Sequence, residues 1–247
     1  MRVLRNQVAM LCCLVALVMS FYSCDIVDDF FEDEIDININ NGLIYYATFD
    51  DGSANNIIEN SSLNGVFVNS PQLLGDTPNG MGKSVFFNSF KTQWMTIPGD
   101  PLQGESKNFA MSFWIKNFTT GNIIKGLENE TEVALSFVAE SDGFFSFRTR
   151  DSFLQNGLYQ FKGYMYSQIQ DEKWHMLTVC SEFLDNDYKL ILYVDGIFVD
   201  VMSRDRYWMA PLKVQIGGSN NFYFDNLRFY NRSLTADEVK KIYDVER

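Results

Sequence analysis

Histidine is nearly absent from this chain: there is one, His175. That excludes a multi-histidine zinc site, and any Ser-His-Asp arrangement would have to use this residue. His175 follows Trp174 inside a strand-like run, so its expected role is a strand histidine satisfied by neighbours. Cysteine is almost as scarce. Cys12 and Cys13 fall in an apolar leader and Cys24 closes it, leaving Cys180 alone in the folded part, where no internal disulfide is possible. Within Leu177-Thr178-Val179-Cys180 it reads as a small buried hydrophobe, with no neighbouring cation to activate the thiol. Basic residues are few. Without Arg2 and Arg5 of the leader, 18 basic face 32 acidic side chains, a formal charge of −14. Such a surface argues against nucleic acid, whose phosphates need Lys and Arg, and against charge-driven attachment to anionic lipid.

One long apolar run exists, Val8 to Val18, preceded by Arg2 and Arg5. It is too short to span a membrane and has the layout of a secretory signal. The segment ends Phe21-Tyr22-Ser23-Cys24, which resembles a bacterial lipoprotein signal with Cys24 as the acylated N-terminus. An ordinary signal peptide or an uncleaved anchor is the alternative. The expectation is a signal over residues 1–23 and attachment to the outer membrane through lipid. Seven acids and no base lie between Asp25 and Asn41, so residues 24–41 are expected to form an extended acidic tether. Acidic residues soon after a lipidated cysteine resemble those of lipoproteins exported to the cell surface.

From Gly42 onward short apolar runs alternate with Gly, Asn, Asp and Pro clusters, the pattern of an all-β domain over residues 42–247. Phe109, Met111, Phe113 and Ile115 fall on one face of a strand, and Ala110, Ser112, Trp114 and Lys116 on the other. Asp195-Gly196 between two apolar strands predicts a type I′ hairpin. Thr235-Ala236-Asp237-Glu238 is a capping box that opens a short closing helix, with Val239, Ile242 and Tyr243 on one side.

The motif order resembles the laminin G-like, concanavalin A-like jelly rolls. The residues that carry it are Leu43 to Gly52 ending in Phe49-Asp50-Asp51, the Asn60 to Gly65 loop, Gly82 to Phe87, Phe109 to Lys116, Trp174 to Val179, and Phe222 to Val239. The resemblance implies a sandwich of two antiparallel sheets with a C-terminal helix. It also implies a range of functions, from sugar-binding modules and adhesion domains to appendages of glycoside hydrolases, so function rests on the site.

Among chemical motifs, Thr77 to Ser84 imitates a phosphate-binding loop but has Thr77 for its first glycine and leads into a strand, so nucleotide binding is rejected. Glu128, Glu130 and Glu132 would share a strand face, as a carboxylate pair for glycoside cleavage requires. Asn129, Thr131 and the upstream Gly126 instead favour a solvated loop. Jelly rolls of this type often hold a structural Ca²⁺, and the resemblance places its ligands at Asp50, Asp51, Asn60 and Asp225, with turn-capping as the alternative role. For ligand binding, Tyr207 and Trp208 stand between strands beside Arg204 and Arg206, and Trp94 and the tyrosines from Tyr159 to Tyr166 are further aromatic candidates. The functional expectation is a non-catalytic cell-envelope module that recognises a glycan or other surface polymer. The alternatives are adhesion through a protein partner, or a glycoside hydrolase or lyase.

Overall fold

Apolar residues at every second position, interrupted by turn-forming residues, divide the chain into short strands. The computed structural model describes residues 37–59, 61–99, 101, 108–129, 132–150, 156–184, 187–204 and 213–247, with backbone alone at 150, 156, 157, 184 and 204. In chain order the strands are β1 (Leu43–Ala47), β2 (Val66–Val68), β3 (Gln72–Leu74), β4 (Ser84–Phe87), β5 (Trp94–Pro98), β6 (Phe109–Lys116), β7 (Gly121–Leu127) and β8 (Val133–Ala139). They continue as β9 (Phe144–Arg150), β10 (Asn156–Met165), β11 (His175–Leu184), β12 (Asp187–Val194), β13 (Ile197–Arg204), β14 (Lys213–Gly217) and β15 (Phe222–Tyr230). The helix α1 (Ala236–Glu246) follows.

Two antiparallel sheets result. Sheet A has the order β13-β12-β11-β6-β15-β4-β3, with β1 also paired to β15. Sheet B has the order β10-β9-β8-β7-β14-β5-β2. Sequence neighbours are often separated: β6 lies between β11 and β15, and β14 between β7 and β5. This is a jelly-roll sandwich, as the motif order predicts. The compact unit runs from Asn38 to Arg247.

The core lies between the sheets and is rich in phenylalanine. Phe109, Met111, Phe113 and Ile115 of β6 point into it, as alternation requires. Phe113 stacks on Phe224 of its own sheet at 5.1 Å between centroids and meets Phe137 of sheet B edge-on at 6.1 Å. At the β12–β13 hairpin, Asp195 and Gly196 both have positive φ, 52° and 77°, as the dipeptide predicts.

The second face of β6 differs from what alternation alone conveys. Ala110 and Trp114 are buried with Met176, Cys180, Tyr230 and Leu234 beneath Val239 and Ile242 of α1, so sheet A is covered on both sides. Cys180 is fully buried and burial pushes its thiol up to about 12, an inert group. The capping box forms: Thr235 Oγ1 accepts from the Glu238 N–H at 3.2 Å and Glu238 Oε2 from the Thr235 N–H at 2.8 Å.

The far end of α1 is pinned by a polar group. Glu246, 5% exposed, accepts from Arg228 Nε at 2.6 Å and from the Trp114 indole N–H at 2.8 Å. The Tyr46 ring lies 3.6 Å from the Arg228 guanidinium, itself 4% exposed. Burial alone would discourage that charge, but the adjacent Glu246 carboxylate keeps the guanidinium protonated.

Candidate functional site

The site is the outward face of sheet B. Residues directly opposite one another in a sheet share a face, so the strand register builds rows across it. One row runs Val66–Thr96–Gln215–Lys125–Ser136–Arg148–Leu158, one residue from each of the seven strands. At the usual strand spacing it spans roughly 29 Å. Trp94 stands two residues from Thr96 on β5, opposite Gly217. Met95 and Ile97, its alternating neighbours on the strand, are core residues, whereas Trp94 belongs to neither apolar cluster. Its ring is half-buried on the outward face.

The two halves of this face differ in chemistry. Toward β9 the polar groups satisfy each other. Arg148 forms a fork with Glu140, with nitrogens at 2.7 and 2.6 Å, and Ser146 also donates to Glu140. Toward β5 they do not: among the described residues, neither the Gln215 amide nor the Lys125 ammonium has a side-chain hydrogen bond or ion pair. Between the halves Ala134, Ser136 and Val138 of β8 form a small-residue floor, buried yet outside both apolar clusters. Gly218, with φ +91°, matters to the open half. A Cβ there would stand 2.8 Å from Gln215 Nε2 and in ordinary contact, 3.8 Å, with Trp94 Cβ, so glycine is required by the backbone conformation and gives the Gln215 amide room beside it. Burial lowers the pKa of Lys125.

Of the four cation candidates, the structure brings Asp50 and Asp225 near each other. Asp225 is 3% exposed, and its Oδ1 accepts the Asn226 N–H at 2.8 Å. Burial pushes its carboxyl up to about 8, with the charges of Asp50 and Glu246 adding to the rise. Asp50 is held nearby by the Lys83 N–H, 2.9 Å from Oδ1. Gly82 permits this approach, since a Cβ there would lie 1.8 Å from the same oxygen. The glycine of the false phosphate loop therefore seats a carboxylate. Asp50 and Asp225 are thus two hard oxygen donors close enough to feel each other's charge. Asp51 is engaged elsewhere, accepting from the Ser53 N–H and hydroxyl at 2.8 Å, and Asn60 lies outside the described residues. Among the described residues no cluster of three His, Cys, Asp or Glu side chains assembles a metal site.

His175 is satisfied as expected, with Nδ1 2.7 Å from Asp195 and Nε2 2.9 Å from Asp171. Burial works to lower its pKa, but the two carboxylates outweigh it and the net shift is upward. Glu128 and Glu132 flank the turn between β7 and β8, where the Glu128 N–H donates to the Glu132 carbonyl at 2.9 Å. That is the loop reading, and Glu130 lies outside the described residues. Tyr207, Trp208 and Arg206 also lie outside them, as do Cys24 and the Arg204 side chain. Tyr159 and Tyr164 pack against the core. Strand by strand, Trp94 is a weaker candidate than the loop aromatics, and Lys125 and Gln215 carry no local signal by themselves. The available signal was polarity at alternating positions of β5, β7 and β14, which acquires meaning only with the register.

None of the curated proteins matches the chain. Among solved structures it is similar to the binding domain of botulinum neurotoxin DC in complex with SialylT, with TM-score 0.68 and 13% identity over 85% of this chain. The binding domain of Paraclostridial Mosquitocidal Protein 1 gives TM-score 0.66 and 16% identity over 84% of this chain. The neurotoxin DC binding domain in complex with rat synaptotagmin II gives 0.68 and 13% over 85%. In each case this chain spans 53% of the other. At these identities the likeness is one of fold. A laminin G-like family model, that of the concanavalin A-like lectin/glucanases superfamily, matches residues 89–240. With more than half of its length covered by that match, the chain belongs to the concanavalin A-like lectin/glucanases superfamily.

Proposed function

We propose that this protein is a non-catalytic binding module of the cell envelope that recognises glycan on the outward face of sheet B. The observation that carries this is Trp94: a half-buried ring outside both apolar clusters, beside the unpartnered Gln215 amide. A sugar stacks an apolar face on such a ring while adjacent polar groups fix its hydroxyls. Neighbours in fold support the reading: the neurotoxin DC binding domain was solved with SialylT, and type C entry depends on two ganglioside molecules. The segment with Tyr207 and Trp208 leads into β14, which carries Gln215, so it stays in the proposal as a second aromatic contact with Arg204 and Arg206. Asp50 and Asp225 are proposed to hold a structural Ca²⁺, which supplies positive charge between them.

Replacing Trp94 with Ala should weaken binding on a glycan array by about 2 kcal/mol, roughly thirtyfold in Kd. Because the ring lies outside both clusters, Tm should stay within about 2 °C of the parent. Unchanged binding in this variant would place the ligand elsewhere; the same array with Tyr207→Ala and Trp208→Ala then tests the loop.

A protein partner is the second reading. Phe198 and Val201 of the edge strand β13 are 53% and 45% exposed and pair with Tyr193 and Ile191, an apolar pair on the face that carries α1. The neurotoxin domain solved with synaptotagmin shows that this fold can take a protein ligand. The localisation proposal is an outer-membrane lipoprotein anchored through Cys24. Cys24→Ser should move the protein from the membrane fraction to the soluble fraction and abolish incorporation of labelled fatty acid.

A further inference from the structure

The geometry points to an acidic saccharide as the ligand of this face, with its carboxylate or sulfate resting on Lys125, an inference that builds on the glycan reading above. Lys125 lies on β7, the middle strand of sheet B, with Gln215 directly opposite on one side and Ser136 on the other. Its side chain is half-buried and, among the described residues, its ammonium is unpaired. Other largely buried cations hold a carboxylate: Lys116 with Asp76, Arg228 with Glu246, Arg232 with Glu238. In a chain with 32 acidic side chains an ammonium without one is an open position for an anion.

Among the described residues, Glu140 and Asp142 do not compete for it. Glu140 is neutralised by the Arg148 fork, and Asp142 accepts from Gln160 at 2.8 Å. Removing Lys125 from water weakens its hydration, as its lowered pKa reflects, so an incoming anion meets a poorly screened charge. Trp94 lies two strands across and two residues along from Lys125, about 12 Å at the usual spacings. A ring stacked on Trp94 and an anion on Lys125 therefore belong to neighbouring sugars of one chain, with Gln215 and Thr96 between them. The minimum ligand is an acidic disaccharide.

Calorimetric titration with an oligogalacturonide, a sulfated galactan oligosaccharide and a neutral galactan of equal length tests this. One or both acidic ligands should bind at least about tenfold tighter than the neutral one, and that preference should shrink as salt rises. Lys125→Gln should reduce acidic binding to the neutral level, while Lys125→Arg keeps most of it. Lys125→Met, which also removes a desolvated charge, should fold with an unchanged or higher Tm, so a loss of binding there is not a loss of structure. If the neutral ligand binds as tightly, or the preference survives Lys125→Gln and Lys125→Met, the charge assignment is wrong and the glycan reading stands. If no saccharide binds the parent protein, both fall.

Discussion

Glu246→Gln should lower stability by about 3–5 kcal/mol, and Tm by roughly 10 °C, although it changes one atom at the last turn of a terminal helix. The reason is what remains behind. Arg228 keeps its charge at 4% exposure, one of its terminal nitrogens (Nη1) has no partner even in the parent, and the carboxylate opposite it becomes a neutral amide. Uncompensated buried charge is among the few single-residue defects that cost this much. Thermal melts of Glu246→Gln, Arg228→Met and the Arg228→Met/Glu246→Leu pair separate the causes. The single variants should each melt early, and the apolar pair should recover most of the loss, because a well-packed apolar replacement removes both desolvation penalties. A Tm for Glu246→Gln within about 2 °C of the parent would mean that the network contributes nothing and that α1 is held by Val239 and Ile242 alone.

In chelator, stability should fall as pH rises from about 4 to about 8, opposite to the acid sensitivity of most proteins. Asp225 is the cause. Its carboxyl titrates near 8 in the native state and near 3.8 unfolded, so through that window the folded protein holds a proton that the unfolded chain has released. Stability then drops by up to roughly 1.4 kcal/mol per pH unit, fully present below 4 and lost by about 8. His175, also shifted upward, adds a loss of the same sign above 6.5, so the difference between the parent and Asp225→Asn isolates Asp225. The carboxylates with lowered values, Asp51, Asp76, Asp171, Glu238 and Asp244, act with the opposite sign and below about pH 4.5. Urea titrations at pH 5 and pH 8.5 in chelator should show the parent losing several kcal/mol more than Asp225→Asn. Calcium should restore the parent at pH 8.5 and leave Asp225→Asn unmoved. Parallel pH profiles for the two proteins would remove Asp225 from the argument. A parent indifferent to calcium would remove the ion.

These two residues show where local sequence stops being informative. The capping box at Thr235, the hairpin at Asp195-Gly196 and the alternation of Phe109 to Lys116 are all legible because each depends on residues within a few positions. Glu246 carries no such mark. It lies in a polar, charged terminal stretch, and only the packing of α1 across β6 and β15 buries it against Arg228, 18 positions earlier. Trp114 likewise falls on the nominally outward face of its strand and is covered because a helix closes over that face.

The candidate site divides the same way. The chain's sequence determines that there are two faces to each strand, that the domain is a jelly roll, and that one histidine cannot build a multi-histidine zinc site. The family resemblance adds an expectation of cation ligands at Asp50, Asp51, Asn60 and Asp225. Which polar residues meet is decided by tertiary structure alone. Trp94, Lys125 and Gln215 sit on β5, β7 and β14, and β14 inserts between the other two although it lies some ninety residues beyond β7. The physical reason is register: hydrogen-bonded pairing across a sheet aligns side chains by strand order, and strand order in a jelly roll is set by how the whole core packs, a property no local segment contains.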